Sequence, residues 1–222
     1  MKFSFWAKIL VGLWVVFASQ SAYSATNDTV RIPEVSPALW QKFTATVGDK
    51  AKSAALIDQA RIRSLFCSSC HGPDGNSLRP NIPKLAGQNP SYILEQLVKF
   101  SDGRRNHYVM VPLAKEFSDE EKIAFSLLFS GYKLVPAGGD AEMARMGKSI
   151  FESKCIACHG SNGRGDKGYA RLAGQQPNYV AKVLTHFRDN TPERSSDLME
   201  GVAAGLTDHQ IKALSEYVGR MK

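Results

Sequence analysis

All four cysteines and two of the five histidines fall into two copies of one pattern. Cys67-Ser68-Ser69-Cys70-His71 is the first Cys-x-x-Cys-His, and Cys155-Ile156-Ala157-Cys158-His159 is the second. Thiols three positions apart on a helical turn can add to the two vinyl groups along one edge of a porphyrin. The next residue then projects its imidazole under the iron. This is the attachment pattern of c-type haem. It assigns Cys67, Cys70, Cys155 and Cys158 to thioether bonds and His71 and His159 to the proximal iron position, for two covalent haem c groups per chain. Three other chemistries compete. A redox-active Cys-x-x-Cys is expected on a strand-to-helix turn, and no strand pattern precedes either motif. Zinc motifs rarely place the histidine directly after the second cysteine. Two simple disulfides leave both histidines without a role.

The motifs are 88 positions apart, and much of the chain repeats at close to that spacing. Gly72-Pro73-Asp74-Gly75 faces Gly160-Ser161-Asn162-Gly163. Leu85-Ala86-Gly87-Gln88 faces Leu172-Ala173-Gly174-Gln175, and Pro90, Tyr92, Leu97 and Phe100 face Pro177, Tyr179, Leu184 and Phe187. The repeat predicts two domains, 25–137 and 138–222, joined by Leu134-Val135-Pro136-Ala137-Gly138-Gly139. An N-terminal stretch, 25–48, has no counterpart; packing over the first domain is its simplest role.

The elements that must position these residues read as helices, in an all-α chain. Asp49 to Phe66 and Asp140 to Lys154 lead into the motifs. Asn89-Pro90 sets an N-cap and first turn, with Ile93, Leu97 and Phe100 on one face; its twin starts at Pro177. Ser118-x-x-Glu121 and Thr207-x-x-Gln210 are capping boxes opening the last helix of each half. Each half is small for a self-sufficient apolar core, and a covalently held haem would supply part of the missing volume.

A haem that only carries electrons needs both axial positions filled. The remaining histidines, His107, His186 and His209, have no repeat partner. Met110 does, in Met199, and thioether sulfur is a known haem-iron ligand. The expected iron ligands are therefore His71 with Met110 and His159 with Met199, each methionine in a loop between two helices. His107 is the rival, being close to Met110. Met143 and Met146 read as core. A proximal imidazole ordinarily donates its second N–H to a backbone carbonyl. Pro83 is placed to accept it in the first half, and Ala170 in the second. Arg104, Arg105, Arg188 and Arg194 precede the two methionines, and read either as partners of haem propionates or as a solvated face.

The first residues carry an export signal. Lys2 and Lys8 charge the start, Ile9 to Ala18 is apolar, and Ala22-Tyr23-Ser24 is a cleavage site before Ala25. The apolar run is short of the roughly 20 residues that span a bilayer. Export to the periplasm with cleavage is the expectation. The chain is 43% hydrophobic and 22% charged, ordinary globular composition, and its net charge of +7 is scattered rather than clustered. That excludes a dedicated nucleic-acid surface.

With Cys67 to Gly75, Pro83-Lys84-Leu85-Ala86-Gly87-Gln88, Gly103-Arg104 and Met110, and the same pattern from Cys155 through Leu172 to Gln175, Arg188 and Met199, the chain resembles the cytochrome c4 family. The resemblance implies two tandem class I cytochrome c domains related by a pseudo-twofold axis. It also implies His/Met haems and a periplasmic carrier between a quinol-cytochrome c reductase type donor and a terminal oxidase acceptor. The long N-terminal stretch and Ala170 in place of proline depart from the family. Two other roles stay open. The chain could be a dihaem subunit of an oxidoreductase such as flavocytochrome c sulfide dehydrogenase. It could also be an enzyme in its own right, but a peroxidase needs an open iron position and a cysteine-ligated thiosulfate site needs a fifth cysteine. Peripheral association with the membrane and the oligomeric state stay open as well.

Overall fold

The computed structural model describes residues 33–165 and 168–222. The export signal lies outside the described residues. Among those residues the only regular elements longer than a turn are helices, eleven of them α-helical. They are α1 Pro37–Gly48, α2 Lys50–Arg63, α3 Leu65–His71, α4 Pro90–Ser101, α5 Met110–Glu116, α6 Asp119–Ser130, α7 Ala141–Lys154, α8 Ile156–His159, α9 Pro177–Arg188, α10 Asp197–Ala203 and α11 Asp208–Arg220. One β-bridge pairs Arg105 with Arg194. No helix among the described residues is long and apolar enough to cross a membrane.

Local signals set most boundaries. Ser118 and Thr207 accept from the N–H groups of Glu121 and Gln210, whose side chains return the bond, so α6 and α11 open on complete capping boxes. Asp140 caps α7 through Met143 N–H. Two expectations change. The helix before the first motif is not continuous, because α2 ends at Arg63 and α3 starts at Leu65, with Ser64 between them. The Ser64 hydroxyl bonds back to Arg61 O, competing with the helical ladder. Asn89 stands at the N-cap of α4, but its side chain does not cap; the amide donates instead to the carbonyls of Gly165 and Tyr169.

Two helical cores form. In the first, Ile93 and Leu97 of α4 meet Ala124, Phe125, Leu128 and Phe129 of α6 and Ala60 of α2. Behind it, Leu39 and Phe43 of α1 pack on Leu94 and Ile123. The described part of the segment without a repeat partner, 33–48, thus packs on α4 and α6. In the second core, Phe151 of α7, Val180 and Phe187 of α9 and Ala203 of α10 enclose Leu206, Ile211, Leu214 and Val218. Met146 lies outside that core, 41% exposed, because the inward face of α7 is carried by Ala144, Gly147 and Phe151; Met143 is half-buried.

The α7–α11 crossing depends on a missing side chain. A Cβ at Gly147 would stand 2.0 Å from Ala213 O, backbone that cannot swing aside. Gly147→Ala is expected to destabilise the protein by about 1–3 kcal/mol, as overpacking does. Gly201→Ala on α10, where a Cβ meets nothing within 4 Å, should leave the denaturation midpoint unchanged or slightly higher. Chemical denaturation of both variants checks the contrast.

Candidate functional site

Cys67, Cys70 and His71 lie on α3; Cys155 ends α7, and Cys158 and His159 follow on α8. The four thiols are unpaired and half-buried. Burial pushes the Cys67 thiol up and the Cys155 thiol up to about 11. That is the reverse of a redox-active Cys-x-x-Cys, whose leading thiol is held low. Among the described residues no three His, Cys, Asp or Glu side chains gather to hold a metal ion. Each motif must then turn sharply after its histidine, and Gly72 and Gly160 do so with φ of 85° and 73°.

Both motif imidazoles are buried and oriented alike. His71 Nδ1 lies 2.9 Å from Pro83 O, and His159 Nδ1 lies 2.8 Å from Ala170 O. A carbonyl only accepts, so Nδ1 carries the proton and Nε2 keeps its lone pair for a metal. Burial holds both imidazoles below the usual histidine range, with the carbonyl bonds opposing it. The acceptor carbonyls sit on matching loops. Gly75 O accepts from Leu85 and Ala86 N–H, as Gly163 O accepts from Leu172 and Ala173 N–H. The second loop lacks the proline, but the Asn89 amide from the first half clasps it at Gly165 and Tyr169.

Met110 and Met199 are half-buried, and neither is in a loop: Met110 opens α5 and Met199 lies within α10. Met110 packs against the same core cluster as Cys67, and Met199 against the same cluster as Cys155. The unpaired histidines are elsewhere. His107 is exposed, stacked on Tyr108, with Nδ1 accepting Val109 N–H. His186 bonds Thr191, and His209 is exposed.

The four arginines divide. Arg104 is paired with Asp102 and Glu34, and Arg188 with Asp189 and Asp208, which is the solvated-face reading. Arg105 and Arg194 instead meet between the two halves, joined by their bridge and by Asn106 N–H to Glu193 O at 2.9 Å. Arg105 bonds Gln96 Oε1 at 2.7 Å and Tyr179 Oη at 3.0 Å. Arg194 bonds Tyr179 Oη at 3.1 Å and Tyr92 Oη. The two guanidiniums lie over Phe100 and Phe187, 4.3 and 5.2 Å from the ring centroids. No described carboxylate forms an ion pair with either group. Burial, and then the Arg194 charge, pull the Arg105 guanidinium below its ordinary value.

The Cytochrome c family model matches residues 144–222. Cytochrome c4 of Pseudomonas aeruginosa is 34% identical over 180 residues, which span 76% of this chain and 90% of that protein. The crystal structure of reduced recombinant cytochrome c4 from Pseudomonas stutzeri superposes with a TM-score of 0.70 at 33% identity, covering 74% of this chain and 98% of that one. The chain belongs to the cytochrome c4 family. It is a dihaem c-type cytochrome of class I fold, with two covalently bound haem c groups, and an electron-transfer protein rather than an enzyme. A thiosulfate dehydrogenase electron acceptor from Stutzerimonas stutzeri is also similar, 31% identical over 170 residues, covering 69% of this chain and 78% of that protein.

The residues present fit the cofactor of a cytochrome c4. Two buried imidazoles offer Nε2, two half-buried methionines pack against the same cores as Cys67 and Cys155, and two interface cations form no ion pair with a described carboxylate. Sequence reasoning missed what holds the halves together. Gln88 accepts from Arg171 N–H at 2.6 Å and donates to Arg171 O at 3.0 Å. Gln175 accepts from Lys84 N–H at 2.7 Å and donates to Lys84 O at 3.0 Å. Two glutamines kept in register by the repeat were the available signal. Gln88→Leu should cost about 1–3 kcal/mol, because Arg171 N–H and O are left buried without partners. A lowered denaturation midpoint with an unchanged haem content per chain is the expected result.

Proposed function

We propose that Cys67 and Cys70 bind one haem and Cys155 and Cys158 the other. His71 and Met110 would hold the first iron, and His159 and Met199 the second. The observation that carries this is that, in each half, a motif cysteine and the repeat-related methionine pack against the same core, while the motif histidine is buried and oriented by a carbonyl. His107 is exposed, stacked on Tyr108 and already accepts Val109 N–H through Nδ1, which favours Met110. The 25–137 and 138–222 halves then act as two cytochrome c domains, exported to the periplasm after cleavage before Ala25.

Each haem supplies an iron that cycles by one electron. The chain orients each imidazole through its carbonyl, and a methionine on the opposite side would leave no position at the iron for a substrate. Methionine ligation raises the potential relative to more basic ligands, which suits delivery of electrons to an oxidase. We assign the chain to carrying single electrons from a quinol-cytochrome c reductase type donor to a terminal oxidase. A second reading, favoured by the similar thiosulfate dehydrogenase electron acceptor, is an electron-transfer subunit of an oxidoreductase such as flavocytochrome c sulfide dehydrogenase.

Mass spectrometry of the mature chain should show two added haem masses and no alkylatable thiol. The oxidised protein should show a near-infrared sulfur-to-iron charge-transfer band, and Met199→His should remove about half of it while leaving two haems; an unchanged band would rule out Met199. Stopped-flow mixing of reduced protein with oxidase-containing membranes should give rapid oxidation, slowed only modestly by salt because the positive charge left after Lys2 and Lys8 are cleaved off is small and scattered. Slow oxidation by those membranes, with fast exchange with a sulfur-compound dehydrogenase, would select the second reading.

A further inference from the structure

Tyr92 and Tyr179 are repeat partners at the interface, yet they are unequally loaded. By the repeat, each phenol should accept one guanidinium from the opposite half. Arg105 to Tyr179 and Arg194 to Tyr92 obey this. Tyr179 also accepts a second, from Arg194 of its own half, at 3.1 Å. The matching bond from Arg105 to Tyr92 is absent, because Arg105 turns to Gln96 Oε1 at 2.7 Å. Gln96 stands opposite Val183 in the repeat. Valine offers no acceptor, so Arg194 takes Tyr179 instead. The pseudo-symmetry is broken at one side chain, and the break hands a single phenol both interface cations.

We propose that Tyr179 is a positioning residue that couples the two haem sites. Bonded at once to the guanidinium of each half, it loses its proton more readily when either iron is oxidised, so one ionisation lowers both haem potentials. This rests on the reading that each half holds a haem beside its arginine.

The electrostatics point one way. Guanidiniums only donate, so the Tyr179 oxygen accepts two charge-assisted bonds, an arrangement that favours phenolate. Burial pushes the phenol up, but Arg105 and then Arg194 outweigh it and draw it down to about 8, against about 10 for an ordinary tyrosine. Haem carboxylates sharing these arginines would return part of that difference. The ionisation is therefore expected on the alkaline side of neutrality, drawn down by the two guanidiniums against burial. A phenolate stabilises the extra positive charge of oxidised iron. The phenol pKa is then lower in the oxidised protein, and the potential falls with rising pH between the oxidised and reduced values and is level outside them.

The other charged groups facing the cluster are Tyr92 of α4, Lys182 and His186 of α9, His107 before α5, and Glu193 before Arg194. Burial holds His107 and His186 below the usual histidine range, so both are neutral before Tyr179 titrates. Glu193 is held below the usual carboxylate range by its bond to Thr191 and stays anionic throughout.

The test is redox titration of the two-haem protein across the alkaline range, reading tyrosinate absorbance and the sulfur-to-iron band on the same samples. In the wild type both midpoint potentials should fall across one window. A tyrosinate difference band should rise in that window, with the sulfur-to-iron band unchanged. Tyr179→Phe should carry two haems and have level potentials there; Tyr92→Phe, which removes a singly bonded phenol, should keep the fall. A slope that survives in Tyr179→Phe, a fall confined to one haem, or loss of the sulfur-to-iron band in the same step overturns the inference. Should Tyr179→Phe fail to hold both haems, the wild-type titration decides alone, and no tyrosinate in the window overturns it. A wild-type chain lacking two haems would instead overturn the reading on which the proposal rests.

Discussion

One hydrogen bond in each half organises the rest: the motif imidazole donating from Nδ1 to a carbonyl, Pro83 O for His71 and Ala170 O for His159. It fixes which nitrogen can face a metal and how the ring is turned. Delivering that carbonyl requires a loop of defined path, and both loops take it by the same device, a glycine carbonyl accepting two successive N–H groups. The residues just after each acceptor, Lys84 and Arg171, are the ones whose backbone the opposite glutamine grips. The geometry of each iron site and the docking of the halves are thus carried by one short stretch of chain, used twice.

That economy explains why the interface is polar where it is buried. Each glutamine satisfies both backbone groups of its partner, so no N–H or carbonyl at those positions is left stranded. Gln176 adds a bond to Ser77 O at 2.6 Å. The arginine pair is a different matter. Two like charges brought together by a backbone bridge oppose association unless anions neutralise them. The chain supplies two phenols, a glutamine oxygen and two aromatic faces to them, all dipolar or quadrupolar rather than charged.

The halves are related but not equivalent. The first carries α1, whose Leu39 and Phe43 pack on Leu94 and Ile123 and thicken its core. The second has no such cover and instead closes α7 on α11 through Gly147. Its acceptor loop has alanine where the first has proline, and stiffness lost in the chain is replaced by Asn89 reaching across. The Asn89 amide is therefore spent on the second loop, and its side chain makes no cap bond to its own helix.

The sequence by itself determined the motif chemistry and the helices opened by local caps, but not α1, α5 or α10. Cys-x-x-Cys-His is a local pattern whose spacing is its meaning. The capping boxes at Ser118 and Thr207 act within one helical turn, and the repeat made Met110 and Met199 visible as a pair. Tertiary structure decided whatever depends on groups distant in sequence. Whether an arginine faces solvent or its counterpart could not be read from Arg104 and Arg105, which are neighbours with opposite fates. Their side chains leave the backbone in different directions, and only the meeting of the halves gives one of them a bridge to Arg194. The break of symmetry at Tyr179 was equally hidden. It turns on Gln96 offering an acceptor where Val183 offers none, a difference that has no consequence until both residues stand beside guanidiniums.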